Sequence, residues 1–529
     1  MKKIIYILTI AVLCLPSCSL EEERTSFVNR ENAYRTVTQC KAVLNSCYDP
    51  LADIVGSSYF LMTENCNDLW YGGPTSIVDS YLNISPTNPG IGSSIWDKCY
   101  FAIMCCNECV ECITASALSE KDKMPLVAEA RALRALYYYV LTCTFGDVPF
   151  YTCMVSDVEV LKQISALPRR SAKLIREELY ADLKDNALPW FTEENGLKKR
   201  PSEIAGNRAG YALSLMLMAK FAIWNEDWDA ALVPLELLEQ LYGALTEKNY
   251  PLKHTQWRYP NVSEGIYEIQ HAYSVTGVKY TSGIASVSLP VYEDGLFDGV
   301  KLDSLGTNIS SGTTLRATSH FVSIFKPLPL KKVSDKYVLD LQALGSVDKR
   351  IQYMFAMGNL TTGETFEAVK GHGRPSTGPK FWCPNMISNK DSNNYPFFRY
   401  ADAVLMLAEV HAFKKIPDMT KAVYYLNMTR ERAGISLLDD TMDQDTFMTE
   451  LINERARELG GEMHRKFDLV RWGIWYERTL QYTHNSKVKD NIMPCHEYYP
   501  IPDEQCALGG YVLTNDAYTA AVASEAETE

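Results

Sequence analysis

Histidine is scarce in this chain, eight among 529 residues, which limits the carriers available for general-base and metal chemistry. The catalytic spacings that could compensate are missing too. There is no Gly-x-Ser-x-Gly elbow, no phosphate-cradling glycine loop and no His-Glu-x-x-His. Positive charge is in deficit: 52 Lys and Arg stand against 65 Asp and Glu, a net charge of −13, and no basic stripe reverses it locally. An acidic surface repels phosphate backbones, so nucleic acid is not an expected partner. Beyond the N-terminus no segment is continuously apolar for 18 residues, so the mature chain is not expected to span a membrane. Nor does any Asp-rich loop predict a bound calcium ion.

What is present begins at the N-terminus. Lys2 and Lys3 precede an apolar run from Ile4 to Leu15 that closes in Leu15-Pro16-Ser17-Cys18. A basic start, a short apolar core and a small residue before the cut describe a secretory signal. The cysteine at the cleavage point resembles the lipobox of a bacterial lipoprotein signal, whose cysteine becomes the lipidated first residue. Residues 1–17 therefore read as the signal and 18–28 as a lipidated, flexible tether. Cleavage leaves 529 − 17 = 512 residues, enough for two or three packed units or one extended helical array. Fifteen cysteines lose Cys14 to the signal and Cys18 to lipid, and 15 − 2 = 13 is odd, so at least one is unpaired within the chain. Cys105, Cys106, Cys109 and Cys112 fall on a helix expected from Trp96 to Leu118, the last three on one face. Zinc sites usually join a cysteine pair on a turn to a second pair from elsewhere, and the distant cysteines here are scattered singly. They read as small buried hydrophobes, with no metal expected.

Helical signals fill residues 29–250. Asn29 can cap a helix carrying Ala33, Val37, Val43 and Cys47. Pro125 suits a first helical turn, after which Leu126, Ala130, Leu133, Tyr137 and Leu141 share a face until Gly146 and Pro149. Further helices are expected at Ser171 to Leu188, Asn207 to Trp224 and Trp228 to Leu241, in pairs joined by short polar links, as in helical-repeat proteins. Residues 251–398 change character, with turn residues such as Asp294-Gly295 and Gly371-His372-Gly373 and only short apolar runs, so a loop-rich lobe with a few strands is predicted. Tyr59 to Ser94 reads as another loop. Helices return in 399–529: one from Tyr400, one capped by Thr420 and ending at Gly434, and one from Thr446 to Leu459 stopped by Gly460-Gly461.

Four blocks, in order, resemble the SusD/RagB family of outer-membrane nutrient-binding lipoproteins. The first is Glu129-Ala-Arg131-Ala-Leu-Arg134-Ala-Leu-Tyr137-Tyr-Tyr leading to Phe145-Gly-Asp147-Val-Pro149. The second is Arg399-Tyr400-Ala401-Asp402 through Ala408-Glu409, and the third Leu426-Asn427-Met-Thr-Arg430-Glu-Arg432-Ala-Gly434. The fourth runs from Glu454-Arg455-Ala-Arg457-Glu458-Leu459 into Arg465-Lys-Phe467-Asp468-Leu-Val-Arg471-Trp472-Gly473, with Tyr499-Pro500-Ile501-Pro502 closing the fold. Gly460-Gly461, where the family usually has a small and an aromatic residue, departs from the pattern, as does the lack of a clear Gln-Asn-Pro-Gly near the C-terminus. The resemblance implies a mostly α-helical, tetratricopeptide-like scaffold beside a loop-rich irregular lobe. It also implies a surface lipoprotein, anchored through Cys18 in the outer membrane and facing the cell exterior. Its task would be to bind a nutrient, usually an oligosaccharide or polysaccharide, and deliver it to a SusC-like TonB-dependent transporter. Glu21-Glu22-Glu23 resembles the acidic tag that sends such lipoproteins outward, and Ser19 after the cysteine is compatible with that sorting. Some members hold calcium; no cofactor is expected here. Peptides or another nutrient are the alternative cargo.

Two groups of residues could carry chemistry. Glu450, Glu454, Glu458 and Glu462 recur every four residues and would line one helical face if the helix continued past Gly460. They permit a surface glycosidase, the remaining alternative, but interleaved Arg455, Arg457, Arg465 and Arg471 favour ion pairing, and no enzyme is expected. The second group is aromatic, among 32 Tyr and 9 Trp. A sugar offers an apolar C–H face and a rim of hydroxyls, so its binders join aromatic platforms to nearby carboxylates and amides. Asn67, Asp68, Trp70 and Tyr71 on a Gly-rich loop have that mixture, as do Tyr273, Tyr280, Tyr292, Asp294 and Phe297 in the lobe. The family builds its ligand sites from loops in these two regions. Tyr137, Tyr138, Tyr139, Trp472, Trp475 and Trp96 are read as helix-packing residues.

Overall fold

The computed structural model describes residues 33–65, 67–72, 84–274, 277–288, 296–297, 300–301, 306–307, 315–325, 330–333, 336–339, 347–356, 376–383, 386–387 and 390–526. The signal, Cys18 and the tether lie outside the described residues, as does the cap expected at Asn29. Within them, Thr36 opens α1 (Val37–Asn45): its hydroxyl accepts from the Gln39 N–H, and the Gln39 amide oxygen accepts from the Thr36 N–H at 3.0 Å. α2 (Asp49–Ile54) and α3 (Ser57–Glu64) follow. α3 occupies part of the stretch read as loop from Tyr59. Its residues Tyr59, Phe60, Met62, Thr63 and Glu64 are all buried, so it lacks the polar face that would betray a helical period.

α4 (Gly92–Ala115) and α5 (Glu120–Phe145) pack along each other. α5 starts five residues before Pro125, because Glu120 and Asp122 in its first turn favour the positive end of the helix dipole. Gly146 ends it at φ +69°. α6 (Ala172–Asp182) runs on through a wider turn at Leu183–Ala187. α7 (Tyr211–Trp224) and α8 (Trp228–Tyr242) form the next pair, with the Asp227 carboxylate accepting from the Ala230 N–H at 3.1 Å.

The C-terminal part comprises α9 (Tyr400–Phe413), α10 (Met419–Ala433), α11 (Gln444–Leu459) and α12 (Arg465–Arg471). Asp418 rather than Thr420 caps α10, accepting from the Lys421 N–H at 3.0 Å. α9 packs against both α8 and α10, and this contact joins the N- and C-terminal helices into one scaffold.

The strands that matter below are β1 (Trp70–Tyr71), β2 (Gly265–Ile269), β3 (Arg316–Ala317), β4 (Phe355–Ala356), β5 (Ser376–Thr377) and β6 (Tyr395–Arg399). β2 and β6 pair antiparallel, with Tyr395 opposite Ile269 and Arg399 opposite Gly265. The lobe thus leaves and re-enters the helical scaffold through one two-stranded ribbon. A second small sheet, in the order β1-β3-β5-β4, ties residues 70–71 to the lobe.

Candidate functional site

Residues 67–71 turn inward. The Asn67 side-chain oxygen accepts from the Leu69 and Trp70 N–H groups at 2.8 and 3.1 Å, and its amide donates to the Thr63 carbonyl at 2.9 Å. Asp68 is fully buried and receives two bonds of 2.7 Å from Arg465 and one of 2.7 Å from Arg478. Burial pushes its carboxyl up, but the two guanidinium groups outweigh this and hold it well below the usual range. Trp70 is 0% exposed, its ring boxed by Phe321, Phe355 and Phe381 at centroid distances of 5.0, 5.9 and 6.5 Å. Tyr71 is buried too, edge-on to His484 at 5.3 Å. The expectation of a sugar platform on this loop is corrected: Asn67, Asp68, Trp70 and Tyr71 offer no ring face to solvent. The aromatic-plus-polar mixture is instead a core plug, in which arginines from the C-terminal helices neutralise Asp68.

Tyr273 is half-buried, and its hydroxyl donates to the Lys390 carbonyl at 2.8 Å. Tyr280 closes the short ribbon with Ala272 opposite it. Tyr292 and Asp294 lie outside the described residues.

The C-terminal carboxylates converge on a buried cluster. Glu458 accepts from Arg399 at 2.7 Å, Arg432 at 2.5 Å and Arg350 at 2.8 Å. Glu454 accepts from Arg350 at 2.8 Å, Arg457 at 2.9 Å and the Thr429 hydroxyl at 2.7 Å. α11 ends at Leu459, so Glu462 is off the helical row; the Gly460-Gly461 turn nevertheless returns it to Arg399 at 2.8 Å and Lys380 at 2.5 Å. Glu264 bridges Arg399 and Arg432 at 2.7 and 2.9 Å. Glu450 stays partly exposed, 3.6 Å from Arg430. Burial raises the Glu454 carboxyl, yet Arg350 and Arg457 bring it down to about 2, and Glu458 is likewise held well below its ordinary value. Carboxylates bound by two or three cations each are fixed charges with no proton to give, so these residues serve as structural ion pairs. A neighbouring set repeats the pattern: Asp402 meets Lys220 at 2.6 Å and Arg455 at 2.9 Å, while Glu409 grips Arg471 at 2.6 Å and the Trp472 indole N–H at 2.8 Å.

Comparison with known proteins decides what this architecture is. Residues 385–511 match the SusD family, and residues 29–205 match a family described as starch-binding associating with outer membrane. The chain belongs to the SusD family. The SusD-like protein P25 of Formosa agariphila is 25% identical over 511 residues, covering 90% of this chain and 87% of that protein. A SusD homologue from Bacteroides thetaiotaomicron superposes with a TM-score of 0.68 at 20% identity, covering 91% of this chain and 97% of that one. Surface glycan-binding protein A from the same organism, solved with laminarihexaose, gives a TM-score of 0.65 at 17% identity over 90% and 98% of the two chains.

In this SusD-family chain the sequence motifs coincide with the ion pairs: Arg399, Asp402, Glu409, Arg432, Glu454, Glu458 and Arg471 all belong to the two clusters. The partners Glu264, Arg350 and Lys380 were not foreseen, because they arrive from the lobe and have no local spacing to mark them. Tyr137 donates to the Cys47 carbonyl at 2.6 Å and Tyr138 to the Tyr151 carbonyl at 2.8 Å, both in the packing role expected of them. Cys106 and Cys109 are buried and Cys105 and Cys112 half-buried against the core. The Sγ atoms of Cys47 and Cys109 lie 3.8 Å apart as free thiols. Among the described residues no group of three or more His, Cys, Asp or Glu side chains could hold a metal ion.

Proposed function

We propose that the protein is a cell-surface lipoprotein, anchored through Cys18 in the outer membrane. It binds an oligosaccharide or polysaccharide and delivers it to a SusC-like TonB-dependent transporter, without cleaving it. The observation that carries this reading is whole-length likeness to SusD-like proteins, among them one solved with laminarihexaose bound. The saturated ion pairs of the C-terminal carboxylates support binding without hydrolysis. With residues 67–71 committed to the core, ligand contact is assigned to the lobe, to Tyr273, Tyr280, Tyr292 and Asp294.

Two measurements test this. Membrane fractionation of cells carrying Cys18→Ala should move the protein from the membrane to the soluble fraction while its glycan binding persists; retention in the membrane removes the lipid anchor from the account. Incubation of the purified protein with the polysaccharide it binds should release no reducing ends. Their appearance would replace capture with hydrolysis.

A further inference from the structure

Away from the lobe loops and the ion-pair clusters, a cleft of about 240 Å³ opens between α2, the turn before α7 and the end of β2. Tyr48, Ala52 and Ile269 give it apolar surface; Asp49, Arg208 and Gln270 supply polar groups. The setting is firmly built. The Tyr48 hydroxyl donates to Glu129 and accepts from the Ala209 N–H at 2.9 Å, and the Arg208 guanidinium lies over the Tyr48 ring at 5.5 Å. Glu129 meets Arg208 at 2.8 Å and cancels its charge. Arg208 Nη1 donates to the Asn45 side-chain oxygen at 2.8 Å, and its Nη2 is buried. Asp49 is exposed and makes no hydrogen bond or ion pair among the described residues.

We propose that this cleft holds one neutral pyranose ring of a bound glycan. The proposal rests on the glycan-binding reading above and adds a second contact point to the lobe loops. Three chemical features select that ligand. The apolar surface suits the C–H face of a sugar. An acceptor at Asp49 and the exposed Gln270 amide, which keeps one N–H and one oxygen lone pair beyond its bonds to the Glu268 carbonyl and from Asn394, suit its hydroxyl rim. With Arg208 neutralised, the carboxylates lining the cleft without a cationic partner among the described residues are Asp49 and Glu268, and they repel uronates and sulfated sugars. The backbone of α2, the turn before α7 and the end of β2 hold these groups together before binding, so little ordering is required when the ring arrives.

Affinity electrophoresis of the purified protein in laminarin, starch, xylan and polygalacturonate tests it. Ala52→Phe fills the cleft and is expected to weaken binding of the neutral polysaccharide that retards the wild type by about tenfold. Should Ala52→Phe fail to fold, Gln270→Ala, an exposed change, carries the test with an expected loss of about threefold. Unchanged retardation of the folded variants overturns the cleft assignment and leaves the glycan-binding reading standing. Retardation of the wild type by polygalacturonate alone overturns the neutral ring. If none of the four polysaccharides retards the wild type, the glycan reading falls and this inference falls with it.

Discussion

Trp70 shows how burial decides what a residue type means. An indole beside Asn67 and Asp68 has the chemistry of a sugar contact, but three phenylalanine rings already cover it. Trp70→Ala is therefore expected to cost about 3–5 kcal/mol of stability, measured by urea unfolding, while glycan affinity of the folded fraction stays unchanged. A loss of affinity without loss of stability would return Trp70 to the ligand. Glu458 makes the matching case among charged residues. Glu458→Leu leaves Arg350, Arg399 and Arg432 buried around an apolar side chain and is expected to cost about 3–5 kcal/mol in the same measurement. A near-neutral result would show that the cluster does not depend on this carboxylate.

At the scale of elements, the helices were legible because their signals are local. Gly434 sits directly after the helix it closes, at φ +76°, as its position after the apolar period indicates. The start of α5 shifted because a favourable first turn extends it ahead of Pro125. Residues 67–71 were misread because what buries them is remote: the bonds to Asp68 come from arginines 397 and 410 positions later. No periodicity within the loop encodes that. The turn after α11 joins both kinds of information. Gly460-Gly461 departs from the family's usual small-plus-aromatic pair, and the structure supplies a reason. Gly461 sits at φ +78°, and a Cβ there would overlap the Phe381 ring. Gly461→Ala is expected to cost about 3 kcal/mol from backbone strain and overpacking combined, read as a lowered unfolding midpoint. An unchanged midpoint would mean the turn can re-form without glycine.

For the whole molecule, buried ionisable groups set the response to pH. Burial pushes His464 down to about 4 and His496 down to about 3, against an ordinary value of 6.5. The unfolded chain therefore takes up these protons first, so their contribution to stability is complete above about pH 6.5 and drains away as pH falls toward 4. Glu454 adds a further loss between its ordinary 4.5 and about 2. Glu64 works in the opposite sense: burial raises it to about 7, so its contribution is present below 4.5 and is lost as pH rises to 7. His320 and His411 are pushed down to about 4 in the same way, while burial also raises Glu129, Glu268 and Asp391. The His464 contribution is isolated by His464→Gln, whose unfolding free energy is expected to fall less between pH 6.5 and 4 than that of the wild type; equal slopes would contradict it.

At the same scale, the helical scaffold locked by two ion-pair clusters is proposed to present the lobe to a glycan. Calorimetric titration of residues 18–529 with laminarihexaose, maltohexaose and xylohexaose tests it most directly. Saturable binding to at least one of them is expected. No heat of binding to any, from a protein whose circular dichroism shows it folded, would contradict it.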